Sequence, residues 1–187
     1  MNYLYWLRQD LRVGYNQCFS LLPNGVRSLD IVFPWPDDFS RWSEARQGFF
    51  VESLLDMNRS LKNWGQKIWI LETPLDHWLK ISANRYQGLT FSKSFNSQQI
   101  HQELTVLKHF PRKENQVLWA DQGTLYSETE LPFEFAQLPK TFSAFRRKIA
   151  KNKQKEWPPL VALKALPPPN RLELSDMESF VKNLLCL

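Results

Sequence analysis

The apolar positions of the chain fall into short runs separated by longer stretches of helical period. The first run, Tyr3 to Leu7, has no polar interruption, as a parallel strand buried on both faces requires. Leu29 to Phe33, Ile68 to Leu71, Leu89 to Phe91 and Val117 to Trp119 are four further short apolar runs that resemble strands. Between them lie helical stretches. From Glu44 to Trp64, Phe50, Leu54, Met57, Leu61 and Trp64 recur at spacings of four and three, with Ser43 placed to cap the start and Gly65 to close the end. Thr73-Pro74 opens a shorter helix carrying Leu75, Trp78 and Leu79. Ser97 opens another, with Ile100, Leu104 and Leu107 expected on its inward face. Strand alternating with helix implies a parallel sheet with right-handed crossovers. The expected fold is α/β: a Rossmann-like, doubly wound, five-stranded parallel sheet with helices on both faces, ending near Trp119.

Three parts follow from this pattern. Residues 1–139 form the α/β domain, and residues 140–157 form a basic helix with Phe142, Phe145 and Ile149 as its anchoring face. Residues 158–187 form a Pro-rich, linker-like segment and a short apolar helix. Residues 157–170, WPPLVALKALPPPN, hold five prolines and read as extended chain. In SDMESFVKNLLCL, Ser175 and Glu178 stand in capping-box register ahead of Phe180, Val181 and Leu184.

The strand pattern also says where chemistry belongs. Arg8, Asp10 and Arg12 follow the first strand immediately, at the carboxyl edge where open α/β sheets bind ligands. Asp10, Arg12 and Asn16 of this loop, with Arg46 at the start of the long helix, are the candidate polar groups of a pocket. Trp35 and Phe49 are the candidate stacking surfaces. The same residues read equally as an internal Asp/Arg network that ties two loops together. No GxGxxG or GxxxxGK[ST] occurs among the six glycines. His77, His101 and His109 lack metal-ligand spacing and are expected at the surface, and no metal site is expected. Trp6, Trp64, Trp69, Trp78 and Trp119 are expected in the core.

Charge is local. Residues 1–139 carry 14 basic and 15 acidic side chains, whereas residues 140–155 carry seven basic side chains and no acid, within a net charge of +5. Arg146, Arg147, Lys148 and Lys151 of this helix are the candidate nucleic-acid contacts, against the alternative of a solvated face. Two cysteines, Cys18 and Cys186, stand far apart and suggest no disulfide framework. With no signal-like opening and no long apolar span, the expectation is a cytoplasmic protein.

WLRQDLRVGYN resembles the opening signature of the photolyase/cryptochrome family, and ARQGFFVESLLDMNRSLKNWGQKIWIL resembles its second block. VLWADQGTLYSETELPFEFAQLPKTFSAFRRKIAK is most similar to the DASH cryptochromes. The resemblance implies the family's N-terminal α/β domain. The family's catalytic half, a helical FAD-binding domain, follows the linker, so this sequence is expected to have no FAD site of the catalytic kind and no enzymatic chemistry of its own. It further implies a second chromophore. A deazaflavin- or flavin-type antenna at the carboxyl edge is compatible with Asp10, Arg12, Asn16 and Arg46, although Tyr15 stands where the family has Asp. A folate is disfavoured, because SKSFNSQQ lacks the acids that DASH-like proteins place after the fourth strand. The expected partners are a companion flavin-domain chain or a second copy, with Phe180 to Leu187 as an apolar hook, and nucleic acid in the alternative reading; no membrane is expected.

Overall fold

The structure is a computed structural model that describes residues 1–110, 116–121, 123, 124, 126, 130–151 and 165–185. Five strands lie parallel: β1 (Asn2–Trp6), β2 (Ser28–Pro34), β3 (Ile68–Leu71), β4 (Gly88–Ser92) and β5 (Gln116–Ala120). A sixth, β6 (Ser175–Asp176), pairs antiparallel with β3, so the sheet runs β5-β4-β1-β2-β3-β6 and is one strand larger than the periodicity predicts. Two residues are too few to carry a period, so β6 leaves no sequence signal.

The helices are α1 (Gln17–Ser20), α2 (Glu44–Lys62), α3 (Leu75–Ser82), α4 (Ser97–Leu107), α5 (Phe142–Lys151) and α6 (Met177–Leu185). The sheet separates two cores. Tyr3, Tyr5, Leu7, Leu29 and Ile31 point toward α1, α2 and α6, while Leu4, Trp6, Val32, Leu89 and Phe91 point toward α3 and α4. Neighbouring residues of β1 thus serve different cores, which is why the strand is apolar at every position. Gly88 lets β4 pass Tyr3: a Cβ there would lie 2.2 Å from the tyrosine ring.

α2 ends as expected, with Gly65 at φ +68 and a Schellman pair, Gln66 N–H to Leu61 O at 3.0 Å and Gly65 N–H to Lys62 O at 3.0 Å. Its start differs. Ser43 occupies the cap position without a side-chain hydrogen bond, and Gln47 instead donates to Phe39 O and Trp42 O, stitching the preceding turn to the helix. At α6 the cap is Asp176 rather than Ser175: its carboxylate accepts from Ser179 N–H at 3.0 Å, directly ahead of Met177.

Three expectations about burial change. α4 turns Glu103 and Val106 inward and leaves Ile100 39% and Leu104 57% exposed. Trp119 is 52% exposed, because β5 lies at the edge of the sheet. On α5 no residue is buried and Phe142 is 76% exposed; among the described residues Phe145 has a ring neighbour, Phe133, at 5.9 Å. Cys186, Leu187 and residues 152–164 lie outside the described residues.

The tail is an integral part of the domain. Leu29 N–H donates to Pro168 O at 3.1 Å, and Gln66 bridges Leu29 O and Pro167 O across the amino end of the sheet. Asn170 closes onto Asp30 through its backbone N–H at 2.7 Å and its side-chain amide at 2.8 Å. Leu172 and Leu174 then join one core, and Met177, Phe180 and Val181 of α6 join the other.

Candidate functional site

The helix after β1 goes to one face of the sheet and the helix after β4 to the other, although β1 and β4 are neighbours. Such a switch point opens a crevice at the carboxyl ends of the two strands. A cleft of about 530 Å³ occupies it, within the usual range for small-molecule sites. The loop after β1 contributes Arg8 to Arg12, α2 contributes Phe49 and Ser53, and the end of β4 and the turn after it contribute Ser92, Lys93 and Ser94.

Arg8 forms the wall between the strands. Its side chain is only 8% exposed; Nη1 donates to Ser92 O at 3.1 Å and to the Glu103 carboxylate, and the guanidinium lies 4.6 Å from the Trp6 ring centroid. Glu103 also accepts from Ser94 N–H at 2.9 Å, so one buried ion pair ties the end of β1 to the turn before α4. Arg8 Nη2 is buried with no acceptor among the described residues.

Asp10 forms the floor. Its Oδ2 accepts from the Tyr5 hydroxyl at 2.5 Å, from the Ser92 hydroxyl at 2.5 Å and from Asn16 Nδ2 at 3.4 Å. Asn16, 2% exposed, caps α1 by accepting from Cys18 N–H at 3.0 Å and donates to Tyr5 Oη at 2.8 Å and Arg12 O at 3.0 Å. The loop turns through Tyr15, at φ +56 the one non-glycine residue with positive φ among the described residues. Burial, reinforced by the charge of Asp10, pushes the Tyr5 hydroxyl well above its ordinary pKa. The same two causes push the Cys18 thiol up to about 11, so it is no nucleophile at neutral pH.

With Arg8 paired to Glu103, the cleft carries Arg12 and Lys93 against the carboxylate of Asp10. An anion is therefore the favoured guest. Phe49, 75% exposed on α2, offers a ring at the rim. A family model described as DNA photolyase matches residues 3–168. The chain belongs to the DNA photolyase family. Among its relatives, a cryptochrome DASH of Vibrio parahaemolyticus is 29% identical over 95% of this chain and 42% of its own length. A blue-light photoreceptor of Arabidopsis thaliana is 24% identical over 94% of this chain and 42% of its own. The chain thus spans about two-fifths of the length of these relatives. The fold agrees: the Synechocystis cryptochrome structure superposes with a TM-score of 0.79 over 93% of this chain and 38% of its own, at 22% identity. A photolyase of Sulfolobus tokodaii, whose crystal structure holds two FAD molecules, superposes at 0.68 over 83% of this chain and 36% of its own, at 16% identity.

In this photolyase-family domain, Asp10, Arg12 and Phe49 come together at the cleft, with Asn16 directly behind Asp10. Trp35 and Arg46 do not line it. Trp35 packs 4.6 Å from Phe180, 4.7 Å from Phe39 and 5.7 Å from Phe50, measured between ring centroids, so the tail helix claims its face. Arg46 folds back over the Trp42 ring at 3.8 Å. Sequence reasoning misses Ser92, Lys93, Ser94 and Gln99, because SKSFNSQQ is weighed there only for its lack of acids. The usable signal is position: these residues follow the fourth strand, which an order with β1 and β4 adjacent brings beside Arg8.

The basic residues Arg146, Arg147, Lys148 and Lys151 are all exposed on α5; Lys148 Nζ stands 4.9 Å from the Phe133 ring centroid, and none of the four lines the cleft. Among the described residues there is no group of three metal-ligating side chains and no helix long and apolar enough to cross a membrane. His77 and His101 are exposed, and His109 meets Asp76 of α3 at 2.7 Å.

Proposed function

We propose that this photolyase-family domain holds a flavin- or nucleotide-like antenna chromophore in the cleft between β1 and β4, without covalent attachment and without catalytic chemistry of its own. The observation that carries the reading is the switch-point cleft of about 530 Å³ lined by Arg12, Lys93 and the Glu103-paired Arg8, with the Phe49 ring at its rim. Arg12 suits a phosphate or a ring carbonyl through paired N–H groups, while Arg8, held by Glu103 and Ser92 O, shapes the wall beside it. Lys93 adds a point charge, and Phe49 supplies a stacking face. Asp10 positions the loop through Tyr5 and Ser92 and rejects an anionic group from the floor. Such a ligand would supply light absorption; the residues of this chain bind and orient it. The two FAD molecules of the Sulfolobus photolyase support the compatibility of this fold with flavins.

Titration with FMN tests the reading, with riboflavin as the probe that lacks the phosphate. FMN binding that raises the melting temperature, exceeds riboflavin binding at least tenfold and weakens in Arg12→Ala is the expected result. Absence of any thermal shift with FMN or FAD would sink it.

A second reading rests on α5, which presents Arg146, Arg147, Lys148 and Lys151 to solvent beside the exposed ring of Phe142. Interleaved cations and rings suit single-stranded nucleic acid. An affinity for oligonucleotides that falls steeply with salt, and is lost in Arg146→Ala/Arg147→Ala/Lys148→Ala, is its signature.

A further inference from the structure

Gly88 and Gly123 each stand where a Cβ would strike an aromatic ring. At Gly88 the ring is Tyr3, and the close approach belongs to the sheet. At Gly123 the ring is Phe95, whose nearest atom lies 2.9 Å from the place a Cβ would take, and Gly123 lines the cleft. Its φ lies outside the left-handed region that Gly25 and Gly65 occupy, so backbone conformation alone does not require glycine there. Crowding does.

The ring behind Gly123 belongs to a fixed turn. Ser94 N–H donates to the Glu103 carboxylate at 2.9 Å and Ser94 Oγ donates to Gln99, while Asn96 donates its N–H to Ser94 Oγ at 3.2 Å and caps α4 by accepting from Gln98 N–H at 2.9 Å. Phe95 is thus anchored on both sides, and although 59% exposed it keeps one ring edge against Gly123. Phe49, the other rim, stands on α2. α2 packs into the core that holds Tyr5 and Ile31, whereas Val106 of α4 packs into the core that holds Leu4 and Phe91, so Phe49 and Phe95 belong to segments on opposite faces of the sheet. The cleft between those segments offers an exposed ring at one wall and a bare peptide at the other.

A peptide without a side chain lets a ligand approach the backbone closely, and a planar guest gains most from that approach. Arg12 and Lys93, lining the same cleft, suit a phosphate. We propose that Gly123 is a specificity-determining residue of the cleft: its bare backbone, set in place by the Phe95 ring behind it, receives the planar fused-ring part of the guest across from Phe49. This assignment rests on the chromophore reading above and narrows it, because it selects a flat ring system carrying a phosphate over a phosphate ester of a sugar alone. Phe95 acts through Gly123 and is a positioning residue.

Fluorescence titration of the full 187-residue chain with FMN and with riboflavin tests this. Gly123→Ala is expected to weaken both by the same factor, roughly tenfold, because the added methyl group is either forced into the cleft or displaces the wall. The preference for FMN over riboflavin should survive, since the phosphate contacts are untouched; Arg12→Ala should abolish that preference instead. Adding Phe95→Leu to Gly123→Ala makes room for the methyl group and should bring FMN binding back to within about threefold of the natural chain. Natural FMN affinity in Gly123→Ala, a loss confined to FMN, or a double variant as weak as the single one would overturn the assignment and leave the chromophore reading standing. A natural chain that binds no FMN overturns both.

Discussion

Asp10, just past the carboxyl end of β1, and Asp30, in the amino-terminal half of β2, are both carboxylates that accept from a tyrosine hydroxyl, Tyr5 at 2.5 Å and Tyr86 at 2.9 Å. At the amino end the chain then closes the site: Asn170 fills the remaining acceptor positions of Asp30, and the carboxylate is fully buried. At the carboxyl end the loops stop short, and Asp10 forms the floor of an open cleft. The same pairing therefore serves two ends. Asp30, with both oxygens hydrogen-bonded, ties the sheet to the tail that crosses it, whereas Asp10, bonded through Oδ2, holds its loop at the floor of an open cleft.

The largest effect that would break this comparison is at Asp30. Asp30→Ala leaves the Tyr86 hydroxyl and two Asn170 donors without their acceptor, and should cost about 4 kcal/mol in urea unfolding. A loss under 1 kcal/mol would mean that the strap contributes little to the fold. Next comes Glu103→Ala, which strands the Arg8 guanidinium in a site only 8% exposed. The expected loss is about 3 kcal/mol, together with weakened FMN binding, since Arg8 would swing free.

Alkaline titration sharpens the comparison, because both tyrosines have raised pKa values, through burial first and the neighbouring carboxylate second. Below the ordinary tyrosine value of 10.0 folded and unfolded chains both keep these protons, and the stability they confer is fully present. Above it the unfolded chain ionises first, so the melting temperature should fall steadily as pH rises past 10.0. Tyr5→Phe and Tyr86→Phe should each flatten that fall; if only one does, the two ends are not equivalent.

The smallest change in stability is expected at the open end. Arg12→Ala removes an exposed cation and the contacts it makes, so urea unfolding should move by about 1 kcal/mol or less while FMN affinity drops roughly tenfold. A matching loss of stability would place Arg12 in the internal network rather than at a ligand.

The apolar run Tyr3 to Leu7 announces a strand buried on both faces, and the charges that follow it place a site at its carboxyl end. The cleft is lined by Asp10 and Arg12 of that loop and by Phe49 of α2. Trp35 and Arg46 stand away from the cleft, each packed on a partner that sequence spacing does not reveal, Phe180 for the first and Trp42 for the second. Lys93 and Ser94 become visible only when β4 is known to lie beside β1.

What the sequence determined by itself is the succession of strands and helices, the photolyase-family membership and the charged carboxyl edge, because periodicity and local motifs are properties of neighbouring residues. Only the tertiary structure decided that Trp119 lies on an edge, that the tail completes the sheet instead of leaving it, and that the cleft opens between β1 and β4. Those outcomes depend on which distant segments pair. An apolar side chain carries the same sequence signal whether a neighbour arrives to cover it or not.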